Sequence, residues 1–95
     1  MKFAFIIMGN FGENAAAEIA GGAARIIGVR SIEEAKAAAL RLASQGIGCI
    51  ELCGAFGEEG ARQIAAVTEN KLPVGYVTHL PEQDEIYRKA FGEKV

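Results

Sequence analysis

Apolar residues in this chain gather in four short runs, and the segments between three of them repeat apolar positions at helical spacing. The first run, Phe3 to Met8, is continuous, of strand length and rich in Phe and Ile. Such a run suits a strand buried on both faces, as in parallel α/β sheets. Gly9-Asn10-Phe11-Gly12 ends it with turn chemistry. Residues 13–22, Glu-Asn-Ala-Ala-Ala-Glu-Ile-Ala-Gly-Gly, admit two readings. One is a short Ala-rich helix stopped by Gly21-Gly22, the other an ordered loop. Their length only just reaches the minimum for a parallel crossover, so the direction of the first strand relative to the second stays open.

Ala24 to Val29 reads as the second strand. Ser31 and Glu34 then stand at capping-box spacing, the Ser31 hydroxyl facing the Glu34 amide and the Glu34 carboxylate reaching back to the Ser31 amide. The helix they open runs to about Gln45, with Ile32, Ala35, Ala39 and Leu42 as its buried stripe and Gly46 where a left-handed cap is wanted. Residues 47–53 form the third strand. Glu58 to about Glu69 is the next helix, turning Ala61, Ile64, Ala65 and Thr68 inward and carrying Glu58 and Glu59 in its first turn, where negative charge is favourable. The fourth strand, Leu72 to Thr78, is entered through Pro73, which implies an edge or a first-residue position. Pro81 suits the first turn of a last helix ending at Phe91, with Leu80, Tyr87, Ala90 and Phe91 inward and Gly92 as its stop. This alternation predicts one small α/β domain over residues 1–95: a four-stranded, mostly parallel sheet with flanking helices, in a half-barrel or flavodoxin-like pattern.

Composition sharpens that picture. Hydrophobic residues make up 51% of the 95 and aromatics 7%, so the core is aliphatic. A chain this short buries a limited fraction of its surface, and a homo-oligomer is the expected way to complete the burial. Ten basic and twelve acidic residues give a net charge of −2 with no basic patch, which argues against a nucleic-acid partner. Cys49 and Cys53, four apart in one strand, put their Cα atoms about 13 Å apart, too far for a bridge. They read as reduced thiols in a reducing, cytoplasmic compartment. The N-terminal apolar run is as short as a signal h-region can be, and a first core strand is the better reading. No stretch reaches the ~20 apolar residues of a membrane span.

Candidate chemistry follows from the fold class, because open parallel sheets bind ligands beyond the carboxyl ends of their strands. Gly54-Ala-Phe-Gly57 opens a helix there, yet it is neither a Walker A loop nor a dinucleotide fingerprint, and Glu58-Glu59 place negative charge where a phosphate would sit. Glu51 lies in an apolar strand and must pair, protonate or face a polar cavity; pairing with Arg25 or Arg30, or pointing outward at a sheet edge, is the plainer reading beside that of a general base. Cys53 and His79 end adjacent strands and could meet as nucleophile and base, or as two metal ligands. A buried thiol and a helix-entry histidine are the simpler account, and no third ligand stands at metal-motif spacing. The candidate ligand-binding set is Asn10, Glu51, Cys53, Phe56, Gly57, Thr78 and His79; no catalytic residue, metal site or cofactor is assigned.

The words Met-Gly-Asn, Ala-Arg-Ile-Ile-Gly-Val, Cys-Ile-Glu-Leu-Cys-Gly-Ala-Phe-Gly-Glu-Glu-Gly-Ala and Pro-Val-Gly-Tyr-Val-Thr-His-Leu-Pro-Glu-Gln-Asp span nearly the whole chain. Together they resemble a family of short uncharacterised microbial proteins, a domain of unknown function. The resemblance implies a stand-alone small α/β protein with no assigned activity, and it carries over no catalytic residue. The strand-loop-helix units also look like pieces of a (β/α) barrel, an analogy of fold alone. The expectation is a cytoplasmic small-molecule-binding protein with its pocket at the strand carboxyl ends. The alternative is an oligomeric structural or interaction module without chemistry of its own.

Overall fold

The structure is a computed structural model that describes residues 1–92; the last three residues of the expected 1–95 domain lie outside it. Five strands form one sheet: β1 (Phe3–Met8), β2 (Ala16–Ile19), β3 (Ala24–Val29), β4 (Cys49–Leu52) and β5 (Val74–Tyr76). Their spatial order is β2-β3-β1-β4-β5. β1 is central and runs parallel to both β3 and β4, β4 and β5 are parallel, and β2 alone is antiparallel. Three helices follow the sequence pattern: α1 (Ile32–Ser44), α2 (Gly57–Val67) and α3 (Asp84–Phe91).

The expected count of four strands is corrected to five. Ala16–Ile19, inside the segment read as helix or loop, pairs Ala17 with Ile26 and Ile19 with Ala24. Its alanines favour a helix locally, but four residues are too few to sustain one, and the exposed edge of β3 offers ladder hydrogen bonds instead. This added strand also explains how β1 and β3 can be parallel without a helical crossover. The link leaves β1, travels back along the far edge as β2, and turns into β3 through Ala20–Gly22.

The two helical crossovers, β3 to β4 through α1 and β4 to β5 through α2, both advance in one direction across the sheet. Right-handed crossovers advancing one way place their helices on one face. The parallel strands β3-β1-β4-β5 follow the 2-1-3-4 order of a flavodoxin-like sheet, with β2 in place of the first crossover helix and α1 and α2 on one face; the sequential strand order of a barrel is not found. The core lies between that face and the helices: Ala4, Ile6, Ile50 and Leu52 from the strands meet Ala35, Ala38, Ala39 and Leu42 of α1 and Ile64 of α2. Ile6, Ile47, Ile50, Leu52 and Ile64 are the largest fully buried side chains, each contributing about 1.5–3 kcal/mol by its removal from water.

β1 is therefore not buried on both sides. Ala4 and Ile6 point into the core, while Phe3 and Phe5 alternate to the bare face and stay 48% and 38% exposed. Local signals hold better. Ser31 Oγ accepts from the Glu34 amide at 3.1 Å, but Glu34 reaches one residue further back than the capping box requires, accepting from the Arg30 amide at 2.9 Å. Gly46 adopts φ 86° after α1, and β5 is an edge strand, as Pro73 implied.

Candidate functional site

The carboxyl ends of β1, β4 and β5 meet on one edge of the sheet. There the Cys53 amide donates to the Ile6 carbonyl (3.1 Å), and the Val77 amide donates to the Leu52 carbonyl (2.9 Å). The Met8 amide, which has run out of strand partners, donates instead to Cys53 Sγ at 3.3 Å. This fixes the thiol at the end of β1. The chain then makes one 3₁₀ turn, Gly54–Phe56, whose Phe56 drops into the core. Gly57 follows with φ 63° and ψ −176°, a backbone region open essentially to glycine alone. That single residue redirects the turn into α2 and sets the start of the helix beside the strand ends.

After β5 the chain runs extended through Val77, Thr78 and His79. Pro81 then opens a short 3₁₀ turn that leads into α3. α3 buries none of its residues in the core. It is held by a small polar and aromatic clasp: His79 Nε2 lies 2.7 Å from Asp84 Oδ1, and the Tyr87 ring stacks on the imidazole at 3.9 Å with planes 9° apart. Phe91 extends the stack from Tyr87 at 5.7 Å. The expected inner stripe of this helix is thus corrected. Leu80 and Phe91 are 63% and 69% exposed and Ala90 is also exposed, because α3 stands off the sheet instead of packing against it.

Between α3, the start of α2 and the strand ends lies a cleft of about 850 Å³. Its walls bring together Cys53, Gly57, Thr78 and His79 of the expected set. The other three expected residues lie elsewhere. Phe56 is a core residue, and Asn10 is exposed beyond β1 and does not line the cleft. Glu51 points to the bare sheet face, paired with neither Arg25 nor Arg30. Its Oε1 accepts from the Cys49 thiol at 3.5 Å, and its carboxylate lies across β5 over Gly75. Burial pushes the Cys49 thiol pKa up, and the Glu51 hydrogen bond and charge add to that. Arg25 instead donates to Gln45 Oε1 and faces Glu18, and Arg30 pairs with Glu34.

Asp84, Tyr87, Arg88 and Glu58 also line the cleft and were not foreseen as site residues. The available signal was the spacing 84, 87, 88, 91, one helix face carrying an acid, a base and two rings. Glu58 is engaged with Arg62 one turn along α2, so the helix start presents carboxylate and not a bare set of amides. Among the described residues no three His, Cys, Asp or Glu side chains converge as metal ligands would. No helix among them is long and apolar enough to cross a membrane.

The model of a family of unknown function, DUF6506, matches residues 1–92. The chain belongs to this family. No curated protein and no solved structure matches it. This DUF6506 member is a small α/β domain with a mostly parallel sheet.

Proposed function

We propose that this DUF6506 protein is a small-molecule-binding protein of the cytoplasm whose ligand occupies the cleft at the carboxyl ends of β1, β4 and β5. The observation that carries this reading is the cleft itself. Its volume of about 850 Å³ falls within the range of small-molecule sites. It lies where open α/β sheets receive ligands.

The lining suggests the class of ligand. The His79–Tyr87–Phe91 stack offers a flat apolar wall suited to a planar group. Thr78, Cys53, Arg88 and Glu58 supply polar partners of both signs along the walls of the cleft. A planar, largely apolar molecule bearing one hydrogen-bonding or zwitterionic end fits that balance better than a polyphosphate, which Glu58 and Asp84 would repel. Both cysteines are free, which supports a reducing compartment. No reaction is assigned, because the cleft presents no nucleophile hydrogen-bonded to a base: the imidazole is engaged by Asp84 and the Cys53 sulfur by the Met8 amide.

Native mass spectrometry of freshly purified protein, followed by an NMR screen of planar heteroaromatic fragments, tests the reading. A co-purified mass, or fragment-induced shifts confined to Cys53, Thr78, His79 and the α3 amides, is expected, and Tyr87→Ala should weaken the binding. No bound mass together with no localised shifts at millimolar fragment would sink it.

A further inference from the structure

A sheet in water requires a second layer over each apolar face. α1 and α2 supply one. On the other face β2, β3, β1 and β4 present Ala17 and Ile19, Ala24 and Ile26, Phe3, Phe5 and Ile7, and Cys49, in register across the sheet. Ile19 is 68% exposed and Ile26 47%, beside the two phenylalanines at 48% and 38%. Together these four leave the equivalent of two whole large side chains bare, about 400 Å² at roughly 200 Å² each. That already matches the largest patch on a typical monomer, about 300–600 Å². The smaller residues of the same face carry it toward the ~800 Å² per partner of a standard specific interface.

We propose that a second copy of this chain covers this face, sheet against sheet, across a two-fold axis. Area is the first argument, since these four side chains alone expose about half of the ~800 Å² per partner that a standard specific interface buries. Charge is the second. The strand residues of this face include no Lys or Arg, and their one carboxylate, Glu51, is laid aside over Gly75 next to the β5 edge. Its centre, β1 and β3, is wholly apolar, the character of homodimer contacts and not of exchangeable partners. Shape is the third. Beyond the Phe11 ring, which rests over Gly28 at one end of β3, the strands offer a pleated surface and not a concave pocket, and pleated faces pack on one another about 10 Å apart. An axis running along β1 sets Phe5 against its own copy. It lays β4 over β3 of the second chain, so the two Glu51 carboxylates stay apart. The proposal stands whether or not the cleft binds a ligand, because the residues of the two surfaces differ.

Sedimentation velocity and light scattering at 10–100 µM, with circular dichroism as the folding control, test this. Wild type should show twice the 10.0 kDa chain mass. Ile26→Arg, at a half-exposed position outside the core, should give a folded monomer, with self-association weakened at least ~100-fold by the charge forced into an apolar contact. Ile86→Arg, on exposed α3, should leave the dimer intact. Should Ile26→Arg fail to fold, Cys49 labelling in a Cys53→Ser background decides the matter: alkylation accelerates on dilution if the face is covered by a second copy. A wild-type monomer at 100 µM overturns the proposal. So does a dimer that survives Ile26→Arg, a dimer lost through Ile86→Arg alone, or labelling of Cys49 that is indifferent to dilution.

Discussion

Two glycines of the sheet should respond oppositely to the same substitution. Neither Gly28 nor Gly75 needs a left-handed backbone, so replacing either with alanine removes the same freedom from the unfolded chain, a gain of about 0.4–1 kcal/mol. The native states differ. At Gly75 a new Cβ meets Glu51 Oε2 at 2.8 Å, which is the far end of a flexible, half-buried side chain. The carboxylate swings away, and the loss is at most the long 3.5 Å contact with Cys49. At Gly28 the new Cβ falls 2.9 Å from Phe11 Cγ, 3.0 Å from its Cδ2 and 3.1 Å from Ala15 Cβ. Those atoms form the root of a ring and a loop that is pinned by the Gly28 amide donating to the Ala15 carbonyl at 2.8 Å. Overpacking of that kind costs about 1–3 kcal/mol. Gly75→Ala should therefore stay within ~1 kcal/mol of wild type, with Gly28→Ala about 1–3 kcal/mol below Gly75→Ala, roughly 4–8 °C of melting temperature per kcal/mol. Urea unfolding at one fixed protein concentration reads the difference, and Phe11→Ala added to Gly28→Ala should recover part of the loss. Equal midpoints for the two variants, or no recovery on removing the ring, would refute the reasoning.

Three further outcomes follow from the same geometry. Cys49, held protonated first by burial and then by Glu51, should alkylate more slowly at pH 7–8 than a free thiol in a Cys53→Ser background, with the rate climbing only above the ordinary thiol range. Glu51→Gln should move that profile down but not all the way, since burial remains; a wild-type profile at the free-thiol position contradicts the placement. Glu34 has its pKa lowered, first by the Arg30 amide and then by the Arg30 side chain, so its contribution to stability is present above the ordinary glutamate range and lost as pH falls through the lowered value. Acid-side urea midpoints should fall less steeply in Glu34→Gln, and an unchanged slope counts against the pairing. Removing the clasp with Asp84→Asn and Tyr87→Ala should strip hydrogen-exchange protection from amides 84–91 while changing global stability by no more than ~3 kcal/mol, the scale of one hydrogen bond and one ring stack. Loss of protection in α1 or β4 would show that α3 is part of the core after all.

The sequence was legible where a local rule decides the outcome. Ser31 caps α1, Gly46 ends it, Pro73 enters an edge strand, and the stripes of α1 and α2 face inward, because caps, turns and helical periodicity act over a few residues. It was illegible where a distant partner decides. Ala16–Ile19 has the composition of a helix and becomes a strand only because β3 offers an unpaired edge. The continuous run Phe3 to Met8 reads the same whether one face or both are covered, and the direction of the helical crossovers, which no local pattern encodes, leaves one face bare. The site divided along the same line. Cys53, Gly57, Thr78 and His79 come together because strand ends converge, whereas Glu51 lies inside β4 on the bare face, short of the strand end where Cys53 turns toward the core and the cleft.

The central position of β1 has a consequence for how the chain is made. It is the first strand to leave the ribosome, yet both its neighbours are synthesised later, with Phe3 opposite Ala24 on one side and Cys49 on the other. At about 5–20 residues per second, Phe3 to Met8 wait on the order of 2–9 seconds before β4 is complete. During that interval a six-residue apolar segment with two unsatisfied edges is exposed on the nascent chain, the kind of segment that pairs with its own kind. Co-translational yield, more than equilibrium stability, should set how much of this protein a cell accumulates. Slowing translation between codons 9 and 52 should lower that yield more than the same delay placed after codon 76.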